Sequence, residues 1–126
     1  MTTPPAETPA LRERLRAALP AAMKVRDRHA TAALRSALAA IDNAEAVDGS
    51  DARAGAIESS AVGVGAAERP RRELTEAEVA AIVRAEIDER LTAAREYAEF
   101  ESGADRAAGL RAEAATLAAH LKGRLQ

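Results

Sequence analysis

Leu74-Thr75-Glu76-Ala77-Glu78-Val79 decides the reading of this 126-residue chain. Thr75 followed by Glu78 is a capping box, in which each side chain can accept a hydrogen bond from the other's backbone N–H. Leu74 before the cap can pack on Val79 beyond it, completing a hydrophobic staple. Glu76 and Glu78 also lie at the positive end of the helix dipole. From this start Ile82, Val83, Ile87, Leu91, Ala94 and Ala98 fall on one helical face, so the stretch predicts an amphipathic helix of about six to seven turns. Ser102-Gly103-Ala104-Asp105 then makes a turn, with Asp105 as the cap of a further helix striped by Ala107, Leu110, Ala114, Leu117, Ala118, Leu121 and Leu125. So short a connection sets these two helices antiparallel, as a hairpin.

Upstream, two more helices precede the capping box. The first opens at Thr8-Pro9, a capping residue followed by a residue whose missing N–H is not needed in the first turn. Its stripe is Leu11, Leu15, Ala18, Leu19, Ala22 and Met23, and Pro20 predicts a kink near Leu19 or a split. Asp27 caps the second helix, striped by Ala30, Ala33, Leu34, Ala37, Leu38, Ile41 and Ala44, with Gly49 as its stop signal. Residues 48–73 then lose all periodicity among Gly49, Ser50, Gly55, Ser59, Ser60, Gly63, Gly65 and Pro70, which reads as a long flexible loop. The expectation is an all-α fold: a small bundle of about four helices, with a long loop between the second and third and a hairpin of the third and fourth. Residues 1–7 read as a disordered N-terminus and 8–126 as a single domain.

Composition agrees with that architecture. Of 60 hydrophobic residues 35 are Ala, and only 25 are larger, which is core volume for one small domain. One Phe, one Tyr and no Trp argue against a β-sandwich or barrel. With no Cys the chain has no disulfide, thiolate zinc site or thiol nucleophile, which fits a reducing cytoplasm. No apolar run approaches the roughly 20 residues of a membrane span, and Met1-Thr2-Thr3-Pro4-Pro5 lacks the pattern of a signal peptide. The expected protein is soluble and cytoplasmic, without a membrane.

The net charge of −2 is unevenly distributed. Residues 1–47 carry +2, 48–74 carry −1, 75–102 carry −5 and 103–126 carry +2. An acidic chain is a poor non-specific nucleic-acid binder, which needs Lys and Arg to neutralise phosphates. The local basic set nevertheless offers Arg12, Arg16, Lys24, Arg28 and Arg35 as nucleic-acid contacts, with Arg71 and Arg72 as a second group. Their bland alternative is a solvated helix face.

Catalytic chemistry is hard to find. His29 and His120 fall on different helices without the converging ligands a zinc site requires. Gly63-Val64-Gly65-Ala66-Ala67-Glu68 resembles a dinucleotide loop, but Glu68 replaces the third Gly and would repel pyrophosphate. The acidic residues of the third helix, among them Glu86, Asp88, Glu89, Glu96 and Glu99, read as its wet face, with Glu86–Arg90 a helical pair contributing about 0.2–0.5 kcal/mol. Ser36, Ser59 and Ser60 lack a His–Asp context. No catalytic, cofactor-binding or metal residue is nominated.

Several blocks together resemble the YqeY proteins of the GatB/YqeY domain group. They are Ala21-Ala22-Met23-Lys24 with Arg26-Asp27, Leu34-Arg35-Ser36-Ala37-Leu38, Asn43-Ala44-Glu45-Ala46, Pro70-Arg71-Arg72-Glu73-Leu74-Thr75-Glu76 with Val79, Arg84-Ala85-Glu86, Glu96-Tyr97, Arg106 and Leu110-Arg111-Ala112-Glu113. The likeness runs from about Leu11 to Leu121 and rests on the order and spacing of the blocks. It implies a helical N-terminal subdomain related to the tail of the B subunit of tRNA-dependent amidotransferase, a region associated with tRNA. The group carries the label of carbon–nitrogen ligase activity with glutamine as amido-nitrogen donor, although the chemistry of such complexes resides in other domains. Leu121-Lys122-Gly123-Arg124-Leu125-Gln126 stands where the family pattern leads to a Leu-Pro linker and a C-terminal subdomain, so that subdomain is expected to be lacking here. The resulting expectation is a non-catalytic accessory or interaction module with a protein partner, self-association being open to it. The alternatives are tRNA binding through the N-terminal Arg and Lys residues and, third, an amidotransferase-linked activity. No small-molecule cofactor is expected.

Overall fold

The computed structural model describes residues 9–59 and 73–123, with side chains over 9–46 and 73–123. Four α-helices make up this part of the chain: α1 (Leu11–Lys24), α2 (Arg28–Ser59), α3 (Glu76–Tyr97) and α4 (Ala104–Gly123). A short 3₁₀ turn, Glu101–Gly103, leads into α4. The described residues contain no strand, and the fold is all-α.

Side-chain meetings fix the directions of the helices. Arg12 on α1 meets Asp42 and Glu45 on α2, whereas Arg35 on α2 meets Met23 near the end of α1. Tyr97 meets Arg106, and Arg90 meets Glu113, so seven residues back along α3 correspond to seven forward along α4. Both pairs are antiparallel. Among the described residues the α3–α4 hairpin is the most extensive packing, as its short connection requires.

The main core joins Leu11 and Leu15 of α1, Ala30, Ala33, Leu34, Ala37 and Ile41 of α2, Val79, Ala80 and Val83 of α3, and Leu117 of α4. Ala94, Ala107 and Leu110 form a smaller cluster within the hairpin. Ala at so many contact positions lets the backbones approach closely. At Gly109 the missing side chain makes room for the His29 ring, whose Cε1 would stand 2.7 Å from an added Cβ. Within the α3–α4 turn the backbone folds closely on itself at Gly103, whose added Cβ would run into the carbonyl oxygen of Tyr97.

The capping box forms as the sequence predicts: the Thr75 N–H donates to Glu78 Oε1 at 2.8 Å, and the Glu78 N–H donates to Thr75 Oγ1 at 3.1 Å. Asp27 caps α2 by accepting from the Ala30 N–H at 3.0 Å. Other boundaries move. α1 begins at Leu11, with Ala10 at the cap position, and its first N–H is satisfied from another helix: Leu11 donates to Glu76 Oε2 at 2.8 Å. α1 runs through Pro20 without splitting, because buried Leu15 and Ala22 hold the turns on either side while the Pro20 ring stays exposed. α2 continues past Gly49 to Ser59, where Ala52, Ala54 and Ala56 favour helix although Gly49 and Gly55 oppose it. The remainder of the expected 48–73 loop, apart from Glu73, lies outside the described residues, as do 1–8. Asp105 sits in the first turn of α4 instead of capping it, because the 3₁₀ turn feeds directly into the helix.

The α1–α2 connection is a Schellman turn. The Asp27 N–H donates to Ala22 O at 2.9 Å and the Arg26 N–H to Met23 O at 3.1 Å. Arg26 occupies the left-handed position with φ of 60°, where glycine is usual.

Candidate functional site

The nominated basic residues separate into distinct environments. Arg12 is withdrawn from solvent: its guanidinium grips Glu45 through two bonds of 2.7 and 3.0 Å and reaches Asp42 at 3.3 Å. With its side chain 20% exposed and that of Glu45 12% exposed, this pair clamps α1 to α2. The Glu45 hydrogen bond raises the guanidinium pKa above its usual value, with burial opposing. In this structure Arg12 thus serves to join α1 to α2, its charge already matched by Glu45 and Asp42. Arg16 is exposed beside Glu13 at 3.2 Å. Lys24, Arg28 and Arg35 are exposed around the α1–α2 turn, and Arg26 joins them. Arg71 and Arg72 lie outside the described residues, as does the Gly63–Glu68 segment.

The helix-surface pair Glu86–Arg90 also proves to be something else. Ser36 Oγ donates to Glu86 Oε1 at 2.6 Å, Arg90 Nη1 donates to the same oxygen at 3.0 Å, and Arg90 Nε donates to Glu113 Oε1 at 2.9 Å. The side chains of Glu86, Arg90 and Glu113 are only 13, 12 and 10% exposed. Three helices thus meet at one ion-pair network. Sequence reasoning missed it because each residue alone resembles a solvated helix position. The available signal was that positions 79, 83, 86, 90 and 94 continue the inward line of α3, with Glu and Arg in two of its places.

This network could resemble a catalytic cluster, but its chemistry is closed. Each charged group faces its partner, and none of the four residues lines any of the three hollows found among the described residues. Ser36 donates to a carboxylate that Arg90 already holds, so no base is free to activate it.

Two larger hollows lie among the described residues. One, about 600 Å³, is lined by Pro9, Glu13, Arg14, Ala17, Ala18 and His120. Arg14 ties its two ends together, donating to Pro9 O and, at 2.9 Å, to His120 O. Burial, then the positive charge of Arg14, lowers the His120 pKa below its ordinary 6.5. Among the described residues the His120 ring has no hydrogen-bonded carboxylate or nucleophile, so it lacks the partners of an acid–base pair. The other hollow, about 400 Å³, lies at the α3–α4 turn between Glu96, Tyr97, Phe100, Ser102 and Gly103. The chain's only Tyr and only Phe are here, both exposed.

Among the described residues no three His, Asp or Glu side chains converge in a way that could hold a metal ion. No described helix is long and apolar enough to cross a membrane. No protein-family model, curated protein or solved structure matches this chain.

Proposed function

We propose that this chain is a non-catalytic, YqeY-like helical interaction module, which acts by presenting helix ends and turns to a macromolecular partner. One observation carries the reading. The charged groups that point inward, Arg12 with Glu45 and Arg90 with Glu86 and Glu113, are tied to one another across helices. Of the other described charges, Glu76 caps α1, Arg14 and His120 edge an open hollow, and most of the rest face solvent. An enzyme needs polar groups converging on a sheltered space, and here the inward groups face each other. The amidotransferase link enters only through the resemblance in the sequence. Glutamate release from glutamine, measured with and without tRNA, tests the absence of catalysis. The expected rate equals the protein-free blank, and turnover above it refutes the proposal.

A second reading, tRNA binding, has its own observation. Lys24, Arg26, Arg28 and Arg35 are exposed around one turn, and among the described residues Lys24, Arg26 and Arg28 make no ion pair. A gel-shift titration across salt decides it. Binding through these four cations should weaken with a log–log slope of about −3 and be lost in a Lys24→Ala, Arg28→Ala, Arg35→Ala variant. A salt-independent shift, or none at micromolar protein in low salt, removes tRNA as the partner.

A further inference from the structure

Two exposed patches of opposite character share one end of the bundle. At the α1–α2 turn Met23 and Val25 are 46 and 73% exposed, framed by Lys24, Arg26, Arg28 and Arg35. The only acidic residue within the turn, Asp27, is engaged in capping α2. At the α3–α4 turn Tyr97 and Phe100 are 44 and 64% exposed. Glu96, Glu99, Glu101 and Asp105 frame them, with Arg95 and Arg106 as the local cations, the latter over the Tyr97 ring at 5.9 Å. Among the described residues no ion pair joins the two patches within one molecule.

The end carrying them is stepped. His29, in the first turn of α2, lies over Gly109, well inside α4. The α3–α4 tip therefore projects past the α1–α2 turn by about 5–10 Å, at 1.5 Å per residue. A two-fold rotation about an axis through the step sets the projecting acidic tip of one copy beside the recessed basic turn of another, and does so twice. A self-complementary contact of this kind closes on itself and stops at two copies.

We propose that the chain forms a symmetric end-to-end dimer in which the Met23–Arg28 turn of each copy seats against the Tyr97–Asp105 tip of the other. Phe100 and Val25 supply the apolar centre, and Lys24 and Arg28 face Glu99 and Glu101 around it. This arrangement covers apolar side chains that the bundle leaves in water, and it matches charge with charge. Two short turns bury less than the roughly 800 Å² per partner of a stable interface, so the dimer is weak, with Kd on the order of 10–100 µM.

Sedimentation equilibrium of the full chain tests the proposal across protein concentration and salt. The expected result is a monomer–dimer equilibrium whose association constant falls about tenfold between low and roughly 0.5 M salt. Phe100→Ser should abolish the dimer at every salt concentration. The double variants Lys24→Glu, Arg28→Glu and Glu99→Lys, Glu101→Lys should each be monomeric alone and associate when mixed. All these positions are exposed, and circular dichroism checks that each variant keeps its helix content. Three outcomes overturn the proposal: a monomer throughout the concentration range at low salt, a dimer that survives both charge reversals, or a monomer that binds RNA through Lys24 and Arg28.

Discussion

Replacing Arg90 with Met tests whether the Ser36–Glu86–Arg90–Glu113 network holds three helices together. The guanidinium contacts Glu86 at 3.0 Å and Glu113 at 2.9 Å, and all three side chains are at most 13% exposed. At about 3 Å and an effective dielectric constant near 20, each contact has a gross attraction of about 5 kcal/mol, most of it offset by desolvation. Removing only the cation keeps the desolvation of two carboxylates and loses the attraction, which costs about 3–5 kcal/mol. Such a loss is a large fraction of the 5–15 kcal/mol that stabilises a typical domain. Urea unfolding followed by helical circular dichroism measures it, provided the m-value is unchanged. Arg16→Met removes an ion pair of similar length, but one whose side chains are more than half exposed. It should cost no more than about 0.5 kcal/mol. Adding Glu86→Leu and Glu113→Leu to Arg90→Met should recover most of the loss, since apolar groups then replace the stranded charges. A loss below about 1 kcal/mol for Arg90→Met, or a triple variant no better than the single one, would refute this reasoning.

Thr75→Ala removes one half of the capping box and should cost about 0.5–2 kcal/mol in the same unfolding assay. Arg26→Gly relieves a left-handed residue in the Schellman turn and should stabilise the chain by about 0.5–1 kcal/mol, measured in high salt so that association does not contribute. Gly103→Ala drives a methyl group into the Tyr97 carbonyl, where only backbone can yield, and should cost about 1–3 kcal/mol; an unchanged midpoint would mean that the turn relaxes freely. His120 titrates with its folded pKa below the unfolded value of 6.5. Between those two values the unfolded chain binds more protons, so stability should rise with pH through that window and fall on acidification. His120→Gln should flatten this part of the profile, and an identical slope in the variant would exclude His120 as its source.

The fold was legible because its strongest signals are local. Thr75 and Glu78, or Asp27 and Ala30, are three residues apart, and their hydrogen bonds follow from that spacing whatever the rest of the chain does. The α2 stripe from Ala30 to Ala44 is likewise half-buried or buried throughout. What the sequence hid involves distant partners. Glu76 reads as an ordinary first-turn acid, yet it caps α1 across 65 residues of chain. Glu86, Arg90 and Glu113 have the side chains of a wet surface yet occupy inward positions, beside an Ile87 that packs against the core as its spacing predicts and a Leu91 that is exposed. Met23 closed the α1 stripe by spacing, but the helix ends there and leaves it exposed. The same dependence on tertiary placement separated Arg12 from Lys24 and Arg28, three cations that the sequence alone ranks together.

An Ala-rich core creates a problem that these polar contacts address. Methyl groups pack well in several registers, because sliding one Ala-faced helix along another exchanges similar surfaces. Large side chains normally remove that freedom by filling unique spaces, and half of the buried apolar positions described here hold Ala instead. Each polar clamp is instead defined at a single register and joins a different pair of helices: Arg12 to Glu45 for α1 and α2, Ser36 to Glu86 for α2 and α3, Arg90 to Glu113 for α3 and α4, and Arg14 to the His120 carbonyl for α1 and α4. If register is their contribution, stability and order must separate in the triple variant of Arg90, Glu86 and Glu113. It should regain its unfolding free energy but lose amide chemical-shift dispersion along α3 and α4, as neighbouring registers become populated. A triple variant as well dispersed as the parent chain would show that Ala packing alone selects the register, leaving the network with an electrostatic role only.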